Sequence, residues 1–168
     1  MPDPNAITFR PYQPSDRLAF RTLNEAWIQH HFRLEPKDLE SLGDPERHIL
    51  AKGGHILIAA DPSGLPVGCC ALIPMPPDYS ASFELAKMTI AESHRGQGLG
   101  LRFLQCVVTY AKQQQSITRL YLETNTKLQN AIRLYEAVGF RHLPSERVTP
   151  SPYDRANVFM ELFLNEHA

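Results

Sequence analysis

The sequence predicts an α/β fold: a mostly antiparallel sheet, with some parallel pairing, packed against helices. Three observations predict it. Two apolar runs rich in Ile and Val, "HILIAAD" and "PSGLPVGCCALIP", meet at a Pro-Ser-Gly turn and read as a hairpin. Apolar residues recur at helical spacing in two later stretches, Leu101, Leu104, Val107, Val108 and Ala111, then Leu128, Ala131, Ile132, Tyr135 and Val138. Both stretches lie between runs that read as strands, so the chain crosses over and some pairing becomes parallel.

Taken in order, "ITFRPY" reads as a short strand, and Ser15 or Asp16 can cap the helix after it. Leu18, Leu23, Ala26, Trp27 and Phe32 give that helix an apolar face. "EPKDLESL" and "DPERHILA" read as a second, broken helical stretch, each opening near a proline. After the hairpin, "SFELAKMTIA" alternates as a central strand does. The helix that follows runs to Gln113, and "RLYLET" is a buried strand. "KLQNAIRLYEAVGF" is a helix with Gly139 at its C′ position. "GFRHLP" and "ANVFMELFL" close the chain as strands.

Composition narrows the function classes. The chain has 168 residues, a formal net charge of −1 and 43% hydrophobic residues, which fits one domain, 1–168, with a real core. Nucleic acid is not expected as a partner, because phosphate binding needs a concentrated basic face and Lys and Arg are scattered. No run has membrane-spanning length, and "MPDPNAITFRP" is polar and Pro-rich, so neither a membrane nor a leader is expected. Cys69, Cys70 and Cys106 form no CxxC pair and read as reduced thiols of a cytoplasmic protein.

The stretch "HRGQGLGLRF" places Gly96, Gly98 and Gly100 directly before a helical run. Three glycines within five residues imply a close approach to the backbone. GxGxxG fails, because Leu101 and Phe103 stand where the last glycine belongs, and no Gly-Lys-Ser/Thr completes a P-loop. What remains is strand, Arg95-x-x-Gly98-x-Gly100, helix. Such a turn offers backbone N–H groups to a pyrophosphate, or it is a tight turn with nothing bound.

The surroundings resemble the Gcn5-related N-acetyltransferase (GNAT) superfamily, whose acetyl-CoA motif Arg/Gln-x-x-Gly-x-Gly/Ala is matched by "RGQGLG". Its second motif, a strand and an asparagine-containing helix ending in "Y…GF", is matched by "LYLETNTKLQNAIRLYEAVGF" at Asn130, Tyr135, Gly139 and Phe140. Glu84 in "FELAKMTI" stands where the family often has a glutamate. The resemblance is strongest from Ser82 to Phe140. It is similar above all to the acetyltransferase half of MarR/GNAT fusion proteins, which share "LETNTKL" and "SPY.RA"; a counterpart of their DNA-binding half, and with it a regulatory role, is not expected.

The resemblance implies a sheet of about seven strands flanked by helices on both faces. It implies an N-acetyltransferase that moves acetyl from acetyl-CoA to a primary amine through a tetrahedral intermediate. Arg95, Gly96, Gln97, Gly98, Leu99, Gly100 and Asn130 would hold the cofactor, and the main chain of Met88, Thr89 and Ile90 would pair with it and steady the developing oxyanion. Glu84 would be the base that an amine with a pKa of about 10.4 needs. Tyr135 would protonate the departing thiolate. On the residues alone, Glu84 also reads as capping the strand or pairing with an exposed lysine such as Lys87, and Tyr135 as core. A longer acyl-CoA, or a non-catalytic acyl-CoA sensor, is the alternative.

No metal site is expected, since His30, His31, His48 and His55 lack ligand spacing. Ser63 is turn material without GxSxG, and Cys69-Cys70 alternates across a strand without an evident base. "IPMPPDYSAS" and "PSERVTPSPYDRAN" read as rims of an acceptor pocket or as stiff surface connections. Arg147, Tyr153 and Arg155 either receive a substrate carboxylate or are surface groups. The resemblance implies a small-molecule or peptide amine as acceptor; a homodimer is compatible with the sequence.

Overall fold

The computed structural model describes residues 6–164 apart from positions 78 and 80, so those two positions of the "IPMPPDYSAS" loop and both chain ends lie outside the description. The chain runs β1 (Thr8–Pro11), α1 (Arg17–His31), α2 (Pro36–Gly43), α3 (Pro45–His48), β2 (His55–Ala60), β3 (Pro66–Pro74) and β4 (Ser82–Ile90). It continues with α4 (Leu99–Gln113), β5 (Arg119–Thr124), α5 (Gln129–Ala137), β6 (Arg141–His142) and β7 (Val158–Phe163). The seven strands form one sheet in the order β1-β2-β3-β4-β5-β7-β6. Every pairing is antiparallel except β4 with β5, the pair that the α4 crossover joins. The expected sheet of mixed pairing is therefore present.

Alternation along β2 and β3 divides two cores. On one face Ile56, Ile58, Cys69 and Ala71 pack with Phe20 and Ile28 of α1 and Leu42 of α2. On the other, Leu57, Cys70, Leu72, Leu85, Leu120 and Leu122 pack with Phe103, Leu104 and Val107 of α4 and Ile132 of α5. Cys69 and Cys70 thus enter opposite layers. Burial pushes the Cys69 thiol up to about 12 and raises Cys70 too, so both behave as small apolar groups.

Three local expectations change. The buried stripe of α1 is Phe20, Asn24 and Ile28, at four-residue spacing, while Leu18 is 75% exposed. Asp16 does not cap α1 through its side chain; it accepts from Arg10 at 2.7 and 3.0 Å and from the Gln13 amide, tying β1 to the helix start. The strand read in "GFRHLP" shortens to Arg141–His142, because Gly139 turns the chain at φ +108° just before it.

Candidate active site

The site begins where the two central strands part. β4 and β5 pair only at Ser82 with Arg119, Phe83 with Leu120 and Glu84 with Tyr121. Beyond Glu84, β4 continues to Ile90 against β3 alone, and β5 continues to Thr124 against β7 alone. The β5-facing edge of Leu85–Ile90 therefore has no strand partner, and its backbone polar groups can pair with an extended ligand.

A bulge bends β4 at this point. Cys69 faces Thr89 but Ala71 faces Ala86, so β4 carries an extra residue, and Lys87 takes φ +55°. A lysine in that conformation is strained and needs support. Its ammonium lies 3.0 Å from Asp38 of α2, with side-chain exposures of 6% and 0%. Arg155 donates to both oxygens of Asp38 at 2.8 and 2.9 Å and to Glu35 at 3.1 Å. The Arg155 guanidinium also stacks over the Tyr153 ring at 4.3 Å. Burial alone would raise Asp38; hydrogen bonds from Arg155 and the Glu35 amide, with the charge of Lys87, hold it down at about 2. Burial lowers the pKa of Lys87 against the pull of Asp38.

This network corrects two sequence readings. Lys87 is not an exposed partner of Glu84, because it is buried against Asp38. Arg147 and Arg155 are not free for a substrate carboxylate. Arg155 is held by Asp38 and Glu35, and Arg147 pairs with Glu161 of β7, which also accepts from Arg119 at 2.8 Å.

The parted strands open into a cleft of about 1160 Å³. That volume suits a cofactor-sized ligand together with a small acceptor. Glu84 lines it, partly exposed, and among the described residues nothing donates a hydrogen bond to its carboxylate. Burial, reinforced by the charge of Glu123 and opposed by Lys87 and Lys37, lifts its pKa to about 7. Tyr135 of α5 also lines the cleft, with its ring edge-on to Phe140 at 5.8 Å. Burial raises its phenol, which therefore keeps its proton at neutral pH.

The glycine turn closes one wall. Gly96 and Gly98 have φ +76° and +77°, a conformation that costs any residue with a Cβ, and space around both is open. A Cβ on Gly100 would stand 3.2 Å from Leu134, so this glycine lets α4 approach α5. Gly98 caps α4 without a side-chain acceptor, and no acid stands in the first turn, which leaves donors of a 15-residue helix free for an anion. Gly96, Gly98, Gly100, Arg95 and Asn130 all line the cleft, as do Met88, Thr89 and Ile90. Arg95 also donates to the Ile90 carbonyl at 2.9 Å, fastening the turn to the end of β4. Leu99 enters the core and Gln97 is exposed, so their side chains do not line the cleft.

Sequence reading missed Asp38 and Glu123. Asp38 looked like an ordinary polar position of an amphipathic helix, and Glu123 like the end of a strand; no short-range pattern marks either.

Forked central strands, a bulge and a glycine turn opening a helix define an acetyltransferase fold. Residues 17–140 match the Acetyltransferase (GNAT) family, and the chain belongs to that family. It is 32% identical over 95 residues to the uncharacterised N-acetyltransferase YjgM of Escherichia coli (strain K12), covering 56% of each chain. The crystal structure of a GNAT acetyltransferase from Staphylococcus aureus Mu50 superposes with a TM-score of 0.81 at 24% identity, over 95% of this chain and 99% of that one. The protein yncA of Salmonella typhimurium, solved with its cofactor acetyl-CoA, superposes at 0.72 with 21% identity, over 98% and 97%. At these identities the structural likeness shows the fold. The chain spans between 34% and 56% of the length of the first curated relatives it matches. Among the described residues no helix is long and apolar enough to cross a membrane.

Proposed function

We propose that this protein is an acetyl-CoA-dependent N-acetyltransferase that transfers acetyl to a primary amine by direct attack on the thioester. The observation that carries it is the unpaired edge of β4, flanked in one cleft by Glu84 and Tyr135. The cofactor fits the residues present, because the first turn of α4 offers uncapped donors and carries no acidic residue. Gly96, Gly98 and Gly100, with Arg95, would hold the pyrophosphate, and Met88, Thr89, Ile90 and Asn130 the pantetheine arm. Bound acetyl-CoA supplies the activated acetyl group.

The chain's own residues then do the rest. Glu84 takes a proton from the ammonium so that nitrogen presents its lone pair. Backbone N–H groups beside the bulge donate to the oxygen on which negative charge builds, in an arrangement fixed before reaction. Tyr135 gives its proton to the leaving sulfur. This reading places the protein in the cytoplasm, with a small-molecule or peptide amine as its partner.

The test is thiol release from acetyl-CoA across a panel of primary amines, beside calorimetric titration with CoA. Turnover with at least one amine is expected. Tight CoA binding with no turnover on any amine would make the protein an acyl-CoA sensor instead.

A further inference from the structure

The fork between β4 and β5 holds a second carboxylate that the reaction above leaves unused. Glu84 stands at the last paired position, opposite Tyr121, and Glu123 lies two residues further along β5, on the face that Tyr121 occupies. Glu84, Tyr121 and Glu123 all line the cleft. Glu123 is held from two sides, since the Tyr121 hydroxyl donates to one oxygen at 2.8 Å and the Ser151 hydroxyl to the other at 2.6 Å. Each oxygen keeps a lone pair for a further donor. Its orientation is fixed, whereas no described residue donates to the Glu84 carboxylate.

We infer that Glu123 receives the cationic end of the acceptor beside Glu84, and that the acceptor is a primary amine with an apolar or aromatic body and no carboxylate next to the nitrogen. The inference rests on the acetyl transfer proposed above. Glu123 accepts from one N–H of the ammonium; a second N–H bond breaks, its proton moves to a Glu84 oxygen, and the electron pair stays on nitrogen.

Burial first, and then the negative charge of Glu123, make Glu84 a stronger base. Against an amine of pKa about 10.4, an ordinary glutamate near 4.3 would take the proton about six powers of ten uphill. At about 7 the gap is roughly halved. The other groups acting on Glu84 are Lys87 on its own strand and Lys37 on α2, which oppose Glu123. The phenols of Tyr121 and Tyr153 also face it and are raised by burial and by nearby carboxylates, so they remain neutral. A carboxylate beside the amine would meet two like charges; Arg147, Arg155 and Lys87 are already paired, and Lys37, which also acts on Glu84, is exposed on α2 where solvent screens it. Trp27, Phe32, Ile73, Met75 and Tyr79 supply apolar and aromatic wall for the rest of the molecule.

The experiment compares pH profiles of kcat/KM for wild type and Glu123→Gln, with 2-phenylethylamine and phenylalanine in the amine panel. Wild type should lose activity below about pH 7, as Glu84 is protonated. In Glu123→Gln that acid limb should move to lower pH, and the KM of the amine should rise about tenfold or more. A purely structural role would lower activity without moving the limb downward. Titration of the Glu84 carboxyl by NMR should show the same downward shift without any turnover. Wild type should prefer 2-phenylethylamine over phenylalanine by at least tenfold in kcat/KM. If Glu123→Gln does not fold, Glu123→Asp keeps the charge and shortens the reach; its limb should stay and its amine KM should rise. An unmoved limb in Glu123→Gln, an unchanged amine KM in Glu123→Asp, or a preference for phenylalanine overturns this inference alone. Absence of transfer to any amine overturns the acetyltransferase reading, and this inference with it.

Discussion

At Glu84, burial and the neighbouring charge of Glu123 bring a carboxyl near neutrality, where a base is half ready at working pH. Glu84→Gln should cut turnover by roughly 10²- to 10⁴-fold, the usual scale for a lost general base. The deficit should shrink as pH rises and solvent deprotonates more of the amine. Tyr135→Phe should lower turnover without that rescue, and both variants should bind acetyl-CoA like wild type. Full activity of either variant near pH 7 would remove its residue from the mechanism. The same shift has a stability consequence. The folded-state pKa of about 7 lies above the unfolded value of about 4.3, so the stabilisation is complete below the lower value and lost as pH rises through the higher one. Glu84→Gln should therefore gain in melting temperature over wild type at pH 8 but not near pH 4. An equal difference at both would contradict the shift.

The element that matters most is β4 with its bulge, pinned through Lys87 to Asp38 and Arg155. Asp38→Asn leaves the buried Lys87 ammonium without its carboxylate and Arg155 with Glu35 alone, and should cost roughly 3–5 kcal/mol in urea unfolding. The Asp38 pKa is depressed, so its stabilisation is present above about pH 4 and fades as pH falls through about 2. At the glycine turn, Gly98→Val forces a β-branched residue to φ +77° and should raise the acetyl-CoA KM at least tenfold while the protein still folds. CoA binding like wild type would end the anion-site reading. How far these elements are legible in sequence depends on range. The β2–β3 hairpin and the faces of α4 and α5 could be read, because periods of two and of 3.6 residues are local signals. The stripe of α1 could be read only in part: Leu23, Trp27 and Phe32 pack against the core, but Leu18 is apolar yet faces water while Asn24 is buried. The Gly-rich turn was readable as a place, but two of its glycines answer to φ and one to Leu134. Asp38 and Lys87 meet across 49 residues, and a buried ion pair leaves no periodic trace.

For the whole molecule, cofactor binding should appear as stability. CoA at a hundred times its dissociation constant should add about 2.7 kcal/mol, a rise of roughly 5–10 °C in melting temperature for a chain of this size. No shift at any concentration would contradict the proposed site. The three residue pairs between β4 and β5 have a further consequence. They are the row of sheet pairing that joins strands β1–β4 to strands β5–β7, so the molecule resembles a zip closed over only its lowest teeth. Around that seam, Arg119 donates to Ser82 at 3.3 Å, and the Thr118 and Arg119 amides donate to Ala81. Above it the two arms lean apart, and a ligand lying between them would lengthen the seam. Amides from Leu85 to Ile90 that point toward β5 should then exchange with solvent quickly in the free protein and slowly with CoA bound. Those pointing toward β3 should change little, so only the β5-facing amides would report that the zip had been drawn upward.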